Sequence, residues 1–183
     1  EALDDFMKER QQEINRVLHK WITEHMEEFF GGVACTVTDD DRRAIARLAA
    51  EGWELFFVSA RSFFGAQRHR PGRPTAEVHA VTVDWLVKNG LPADERHVIL
   101  TLDKAQTINV EGIKYHLDDA VAHVTNVALR SNAQVYLMRQ PWNQRFLVKH
   151  DDTSDADWEA SAGAYGVTEV DSIREYITLI LGR

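Results

Sequence analysis

Alternating strands and helices predict an α/β fold, a three-layer Rossmann-like arrangement around a parallel sheet. Three observations carry this reading. Four short apolar runs, 53–58, 98–102, 113–117 and 134–138, are separated by stretches with helical periodicity, and strands that alternate with helices run parallel through right-handed crossovers. The runs are nearly all apolar rather than alternating, as in a sheet covered on both faces. Chemistry-bearing residues follow successive runs: Ser59 after the first, Asp103-Lys104 after the second, Asp118-Asp119 after the third. Open α/β sheets bind ligands at that carboxyl edge.

The elements follow in order. Leu3, Phe6, Met7, Ile14, Val17, Leu18, Trp21, Ile22, Met26 and Phe29 recur at spacings of three and four, which predicts one amphipathic helix over 3–30. Gly31-Gly32 ends it. Residues 1–32 therefore read as a helical appendage and 33–183 as the α/β domain. Thr38 caps a helix over 39–51, whose first turn holds Asp39, Asp40 and Asp41, a favourable place for negative charge. Gly52 closes it, and the strand 53–58 follows. The segment from Ser62 to Pro74 is rich in Arg, Gly and Pro and reads as an exposed loop. Pro74-Thr75 starts a helix through Asn89 with Val78, Val81, Trp85 and Leu86 inward, and Gly90 stops it. After the strand 98–102 comes a short polar segment, then the strand 113–117, a helix over 119–131 and the strand 134–138. Residues 139–155 read as irregular. A last amphipathic helix, about 170–181, turns Ile173, Tyr176, Ile177, Ile180 and Leu181 inward.

Bulk properties narrow the function. The chain has 183 residues, of which 44% are hydrophobic, enough for a sizeable core. Its net charge of −8 argues against general nucleic-acid or membrane-surface binding, since phosphate-rich surfaces would be repelled. A small phosphorylated ligand in a local site is compatible with it. No run approaches the roughly 18 apolar residues of a membrane span. The single cysteine, Cys35, has no internal partner, which points to a reducing, cytoplasmic setting. The eight histidines show no metal-binding spacing.

In this frame the motif order resembles the haloacid dehalogenase (HAD) superfamily, more narrowly its small 5′(3′)-deoxyribonucleotidase-like phosphatases, many of them phage or bacterial. Val58-Ser59-Ala60-Arg61 resembles the family's second motif, a Ser or Thr at a strand end. Lys104 resembles the third-motif lysine. Leu117-Asp118-Asp119 resembles the acidic fourth motif. Met138-Arg139-Gln140-Pro141-Trp142-Asn143 resembles the family's Asp-Gln-Pro-Trp-Asn loop, with Arg139 in the place of the acid. The likeness spans about residues 39–181.

The resemblance implies a Mg²⁺-dependent phosphomonoester hydrolase acting on a small phosphorylated molecule such as a nucleotide. Asp118 and Asp119 would hold Mg²⁺ with several waters. Lys104 would hold the phosphate and the nucleophile as a point charge. Ser59 would donate to a phosphate oxygen. Arg61 and Arg73, within the basic cluster that includes Arg68, His69 and Arg70, would attract the ligand's phosphate. The helix 3–30 sits where the family inserts a helical cap, and its apolar stripe would pack on the domain, on a second copy or on a partner chain.

One motif is missing. The family's first motif is a strand ending in Asp-x-Asp, whose first Asp is the nucleophile and whose second is the general acid/base. Nothing before residue 53 matches it well. Three readings stand: the strand is encoded upstream of Glu1; Val33–Thr38 is that strand, with Asp39 and Asp41 as a degenerate pair; or the domain has lost its chemistry and serves binding or assembly in a larger protein. Plainer roles stand beside each candidate. Asp118-Asp119 can simply start a helix, Lys104 can be a solvated surface residue, His79, His116 and His123 can be packing or surface residues, and Trp142 reads as a core anchor before a base-stacking platform.

Overall fold

The computed structural model describes residues 35–60, 73–149, 157–159 and 161–182, together with residues 10, 11, 13, 14, 16, 17, 21 and 32. The elements are α1 (Asp39–Ala50), β1 (Phe57–Ser59), α2 (Arg73–Lys88), β2 (Val98–Leu100), α3 (Lys104–Val110), β3 (Tyr115–Asp118), α4 (Val121–Arg130), β4 (Gln134–Met138), β5 (Leu147–Lys149), β6 (Asp157–Glu159), a 3₁₀ turn (Ala162–Tyr165), β7 (Val167–Val170) and α5 (Ile173–Leu181). They form two compact units that interleave in sequence. The first takes Glu1–Thr36 and Glu54–Leu102; the second takes Val37–Trp53 and Asp103–Arg183.

In the first unit β1 and β2 pair in parallel, Phe57 opposite Val98 and Ser59 opposite Leu100. The crossover between them is α2, which buries Val78 and Leu86 as its 3.6-residue period requires. His79 donates from Nε2 to the Val98 carbonyl at 2.8 Å, tying α2 to β2. The strand is shorter than expected. The Trp53 N–H is spent on the Leu48 carbonyl beyond the end of α1, and pairing with the 97–100 segment begins only where the Phe57 N–H meets the His97 carbonyl. Of the expected N-terminal helix, Arg10, Gln11, Glu13, Ile14, Arg16, Val17 and Trp21 are helical, and Ile14, Val17 and Trp21 are exposed. The remainder of that helix lies outside the described residues, as do Val33 and Ala34 of the Val33–Thr38 run and the whole Ser62–Pro71 part of the expected loop.

The second unit holds a parallel sheet of order β3-β4-β7. Its register puts Leu117 beside Tyr136 and Asp118 beside Leu137. Val135, Tyr136 and Leu137 of β4 are all buried, so this central strand is covered on both faces. On one face Val135 and Leu137 join Ala105 and Ile108 of α3 and Val124 and Val127 of α4 in the core. On the other, Tyr136 meets Tyr176 of α5 edge to face, ring centroids 4.9 Å apart. Alternation along β3 therefore turns Tyr115 and Leu117 to the Tyr136 face and His116 and Asp118 to the face of α3 and α4.

Several elements were not expected. The polar stretch after residue 102 is the helix α3. Asp103 caps it by accepting from the Gln106 N–H at 3.1 Å, and Gly112, at φ +66°, ends it in the left-handed region where side-chain-bearing residues are strained. The segment 139–155 is not wholly irregular, since β5 pairs antiparallel with β6. β7 carries little apolar signal, because only its ends, Val167 and Val170, are buried. The expected capping of α1 is present: Thr38 and Asp41 form a reciprocal capping box. Among the described residues no helix is long and apolar enough to cross a membrane.

Candidate functional site

Lys104 is the first residue of α3, where a cation meets the positive end of the helix dipole unfavourably. Asp118, at the carboxyl end of β3, answers it. Lys104 Nζ donates to Asp118 Oδ2 at 2.5 Å, with side chains only 10% and 7% exposed. Asp103, the cap of α3, is also gripped by Arg130 from the end of α4, at 2.8 and 3.2 Å. The two helices are thereby held so that Lys104 faces β3.

Two histidines complete the surroundings of Asp118. His116 Nε2, from the same face of β3, lies 3.5 Å from Asp118 Oδ2. His123 Nδ1, from the first turn of α4, lies 3.4 Å from it. Both contacts are too long for firm hydrogen bonds, and both nitrogens are buried without another partner. Burial by itself would push the Asp118 carboxyl upward. The facing His116 and His123 nitrogens and the Lys104 ammonium overcome that and hold it well below the usual carboxylate range. Asp118 Oδ1 accepts the Ala120 N–H at 3.0 Å, so both of its oxygens are engaged.

The adjacent Asp119 differs. It is half-buried, and its carboxylate makes no hydrogen bond or ion pair among the described residues. Its backbone is pinned by Asn143, which is 4% exposed. Asn143 Nδ2 donates to the carbonyls of Asp119 at 2.7 Å and Met138 at 2.8 Å, and Asn143 Oδ1 accepts the Gln140 N–H at 2.7 Å. The Gln140–Gln144 turn is thus fastened to the ends of β3 and β4. Trp142, expected as a core anchor, is 70% exposed at the tip of this turn; the buried anchor is Asn143. Arg139, standing where the resembling family has an acid, pairs with Glu169 of β7 at 3.6 Å.

The structure thus brings Lys104, Asp118 and Asp119 together. Ser59 ends β1 in the other unit, where its carbonyl accepts the Thr101 N–H at 2.9 Å. Asp39 and Asp41 are occupied at the start of α1. Asp41 belongs to the capping box, and Asp39 pairs with Arg42 at 2.6 Å while remaining 81% exposed. Arg61 and the side chain of Arg73 lie outside the described residues, as do Arg68, His69 and Arg70. His116 and His123, which the sequence presents as packing or surface residues, stand beside Asp118 instead. The signal for His116 was its position two before Asp118 on a strand, hence on the same face; nothing local marks His123.

A Mg²⁺ ion asks for oxygen ligands in octahedral array and keeps several waters. Asp118 offers little, because Lys104 already stands at its outer oxygen as the compensating cation. Among the described residues no group of three His, Cys, Asp or Glu side chains is placed to hold a metal.

No protein-family model matches the chain, and no curated protein or solved structure matches it.

Proposed function

We propose that this chain is a HAD-like α/β domain that binds a small phosphorylated ligand at the carboxyl end of β3, holding its phosphate with Lys104. The observation that carries this reading is the buried Lys104–Asp118 pair. Asp118 uses one of the three ammonium hydrogens, and no other partner for Lys104 exists among the described residues. Two donors are left beside a sheet edge of the kind where α/β domains bind ligands. A Mg²⁺ ion, where present, would sit on Asp119 and the ligand's own oxygens and would neutralise phosphate charge.

The three-layer HAD-type sheet and the cap role of the N-terminal helix belong to the same proposal. In support, β3 pairs with β4 alone among the described strands, so its other edge is one a first-motif strand would fit. The exposed Ile14, Val17 and Trp21 support contact of that helix with a second copy or a partner chain.

By the route the resemblance implies, hydrolysis uses a carboxylate nucleophile and a second carboxyl group as general acid/base, and of Asp39, Asp41, Asp118 and Asp119 only Asp119 makes no hydrogen bond or ion pair among the described residues. Asp118 is tied to Lys104, and Asp39 and Asp41 are tied into the start of α1. We therefore expect residues 1–183 to bind ribose 5-phosphate, measured by calorimetric titration, and to release no phosphate from it at an enzymatic rate with Mg²⁺ present. Absence of binding would overturn the phosphate-holding role. Magnesium-dependent turnover would overturn the binding-only role, and its loss in Asp39→Asn would identify Asp39 as the nucleophile.

A further inference from the structure

We infer that the groove between α1 and α5 of the second unit holds a small aliphatic dicarboxylate, its two acid groups taken by arginines on opposite walls. The inference is independent of the phosphate-holding role of Lys104.

α1 and α5 pack against each other and leave a groove of about 360 Å³, the size of a small-molecule site. Arg43 and Arg47 line it from α1, and Arg174 lines it from α5. Three guanidiniums at one groove are out of character for a chain whose net charge is −8. Their placement also costs stability. Arg43 and Arg47 are four apart on one helix, an unfavourable spacing for like charges. Arg174 stands in the first turn of α5, at the positive end of its dipole. Its guanidinium has no hydrogen bond or ion pair among the described residues. Glu175 follows it, but that carboxylate accepts the Asp171 N–H at 2.7 Å. Arg43 is matched by Asp40, and Arg47 by Glu51 through Nε at 2.9 Å; both keep N–H groups beyond those bonds. Asp40 is the one acid that lines the groove, so two positive charges in excess face it. A ligand of charge −2 balances them.

The distribution of the cations decides the kind of dianion. They stand on two helices, so the ligand's charges belong at its two ends rather than gathered on one group. Between them Ala44, Ile177 and Leu181 offer apolar surface, which suits methylene groups. Thr178 spends its hydroxyl hydrogen on the Arg174 carbonyl at 2.9 Å. The donors left are guanidinium forks, which take carboxylates with paired N–H bonds.

Calorimetric titrations of the full chain with glutarate, butyrate and malonate test this. Glutarate has two acid groups on a methylene stem, butyrate has a similar stem with a single acid, and malonate has two acids on a stem too short to reach both walls. We expect glutarate to bind about tenfold tighter than either. Arg174→Gln and Arg47→Gln should each weaken it about tenfold, and Arg96→Gln, which removes an exposed arginine of the first unit, should leave it unchanged. Without ligand, the thermal midpoint of Arg174→Gln should equal or exceed that of wild type, because the change relieves repulsion. Glutarate should raise the midpoint of wild type and not of the variant. Failure of wild type to bind glutarate would overturn the inference, as would malonate or butyrate binding as tightly. An effect of Arg96→Gln equal to that of Arg174→Gln would overturn it too, by reducing the binding to general attraction. A ligand-free midpoint that fell in Arg174→Gln would mean that Arg174 is already satisfied within the fold, and would overturn it as well.

Discussion

Two clusters in this molecule use the same chemistry, histidine and a cation against carboxylate, to different ends. In the first unit His97 sits between Asp94 Oδ1, 2.7 Å from Nδ1, and Glu54 Oε1, 3.1 Å from Nε2, with Arg96 3.3 Å from the same Glu54 oxygen. Phe56 packs edge-on to the imidazole. The acids there are more than half exposed, and the cluster precedes β1 and β2. In the second unit one carboxylate, Asp118, is buried among Lys104, His116 and His123 and ends β3. The exposed cluster closes its own valences and staples a loop. The buried one is unbalanced, with two orphan histidine nitrogens and a lysine with donors to spare. Open valence at the carboxyl edge separates a candidate site from a staple.

The largest expected effect breaks the buried side of that contrast. Lys104→Met strands the Asp118 charge in the interior and should cost about 3–5 kcal/mol, read as a drop in the urea unfolding midpoint. The double variant Lys104→Met/Asp118→Leu removes both charges and should recover most of the loss while abolishing ribose 5-phosphate binding. The matching change in the exposed cluster, Glu54→Gln, should cost under about 1 kcal/mol. Equal costs in the two clusters would erase the distinction.

Next comes the clamp beside the buried cluster. Asn143→Ala leaves the Gln140 N–H and the Asp119 and Met138 carbonyls without their partner. A cost of about 2–3 kcal/mol is expected, together with faster amide exchange at Gln140. An unchanged exchange rate would mean that the turn is held by something else.

Much of this contrast was legible beforehand, and the exceptions have causes. The positions of Lys104 and Asp118 after successive apolar runs marked both as residues of one sheet edge, because strand ends are written locally; their pairing with each other depends on how α3 lies against β3 and had no local signal. Thr38 with Asp41 announced α1 from local sequence as well. α3 was missed because its seven residues are too few to show a stripe; its signals were Asp103 and Gly112 at its two ends. The Trp142–Asn143 reversal had no local signal. A tryptophan is expected inside and an asparagine outside, and only the backbone groups that β3 and β4 bring together make burying the amide favourable. His123 depends in the same way on how α4 lies against β3.

The Asp118 carboxyl sets the acid limit of the second unit. Its folded-state value lies below the unfolded one, so its contribution is present above about pH 4 and is lost as pH falls further toward the depressed value. Wild type should lose stability faster than Asp118→Asn as pH falls from 4 to 2, the difference in slope rising toward about 1.4 kcal/mol per pH unit. Added salt should change this little, since the buried pair is poorly screened. Parallel acid curves for the two proteins would remove Asp118 from the ion pair.

The smallest effect sharpens the exposed side and has the opposite sign. The Glu54 hydrogen bond to His97 raises its value; burial works against this, and Asp94 adds to the rise. A raised histidine contributes stability that is complete below its unfolded value of about 6.5 and disappears as pH climbs through the higher folded value. Wild type should therefore exceed His97→Gln in thermal stability at pH 5.5 by a few degrees or less. That margin should shrink steadily from pH 6.5 upward. Because Glu54 and Asp94 are open to solvent, 1 M salt should remove much of the pH 5.5 margin. A margin that grew with pH would mean His97 acts as a neutral hydrogen-bonding residue. One that ignored salt would place it in the same class as Asp118, and the contrast between the two clusters would rest on position in the sheet alone.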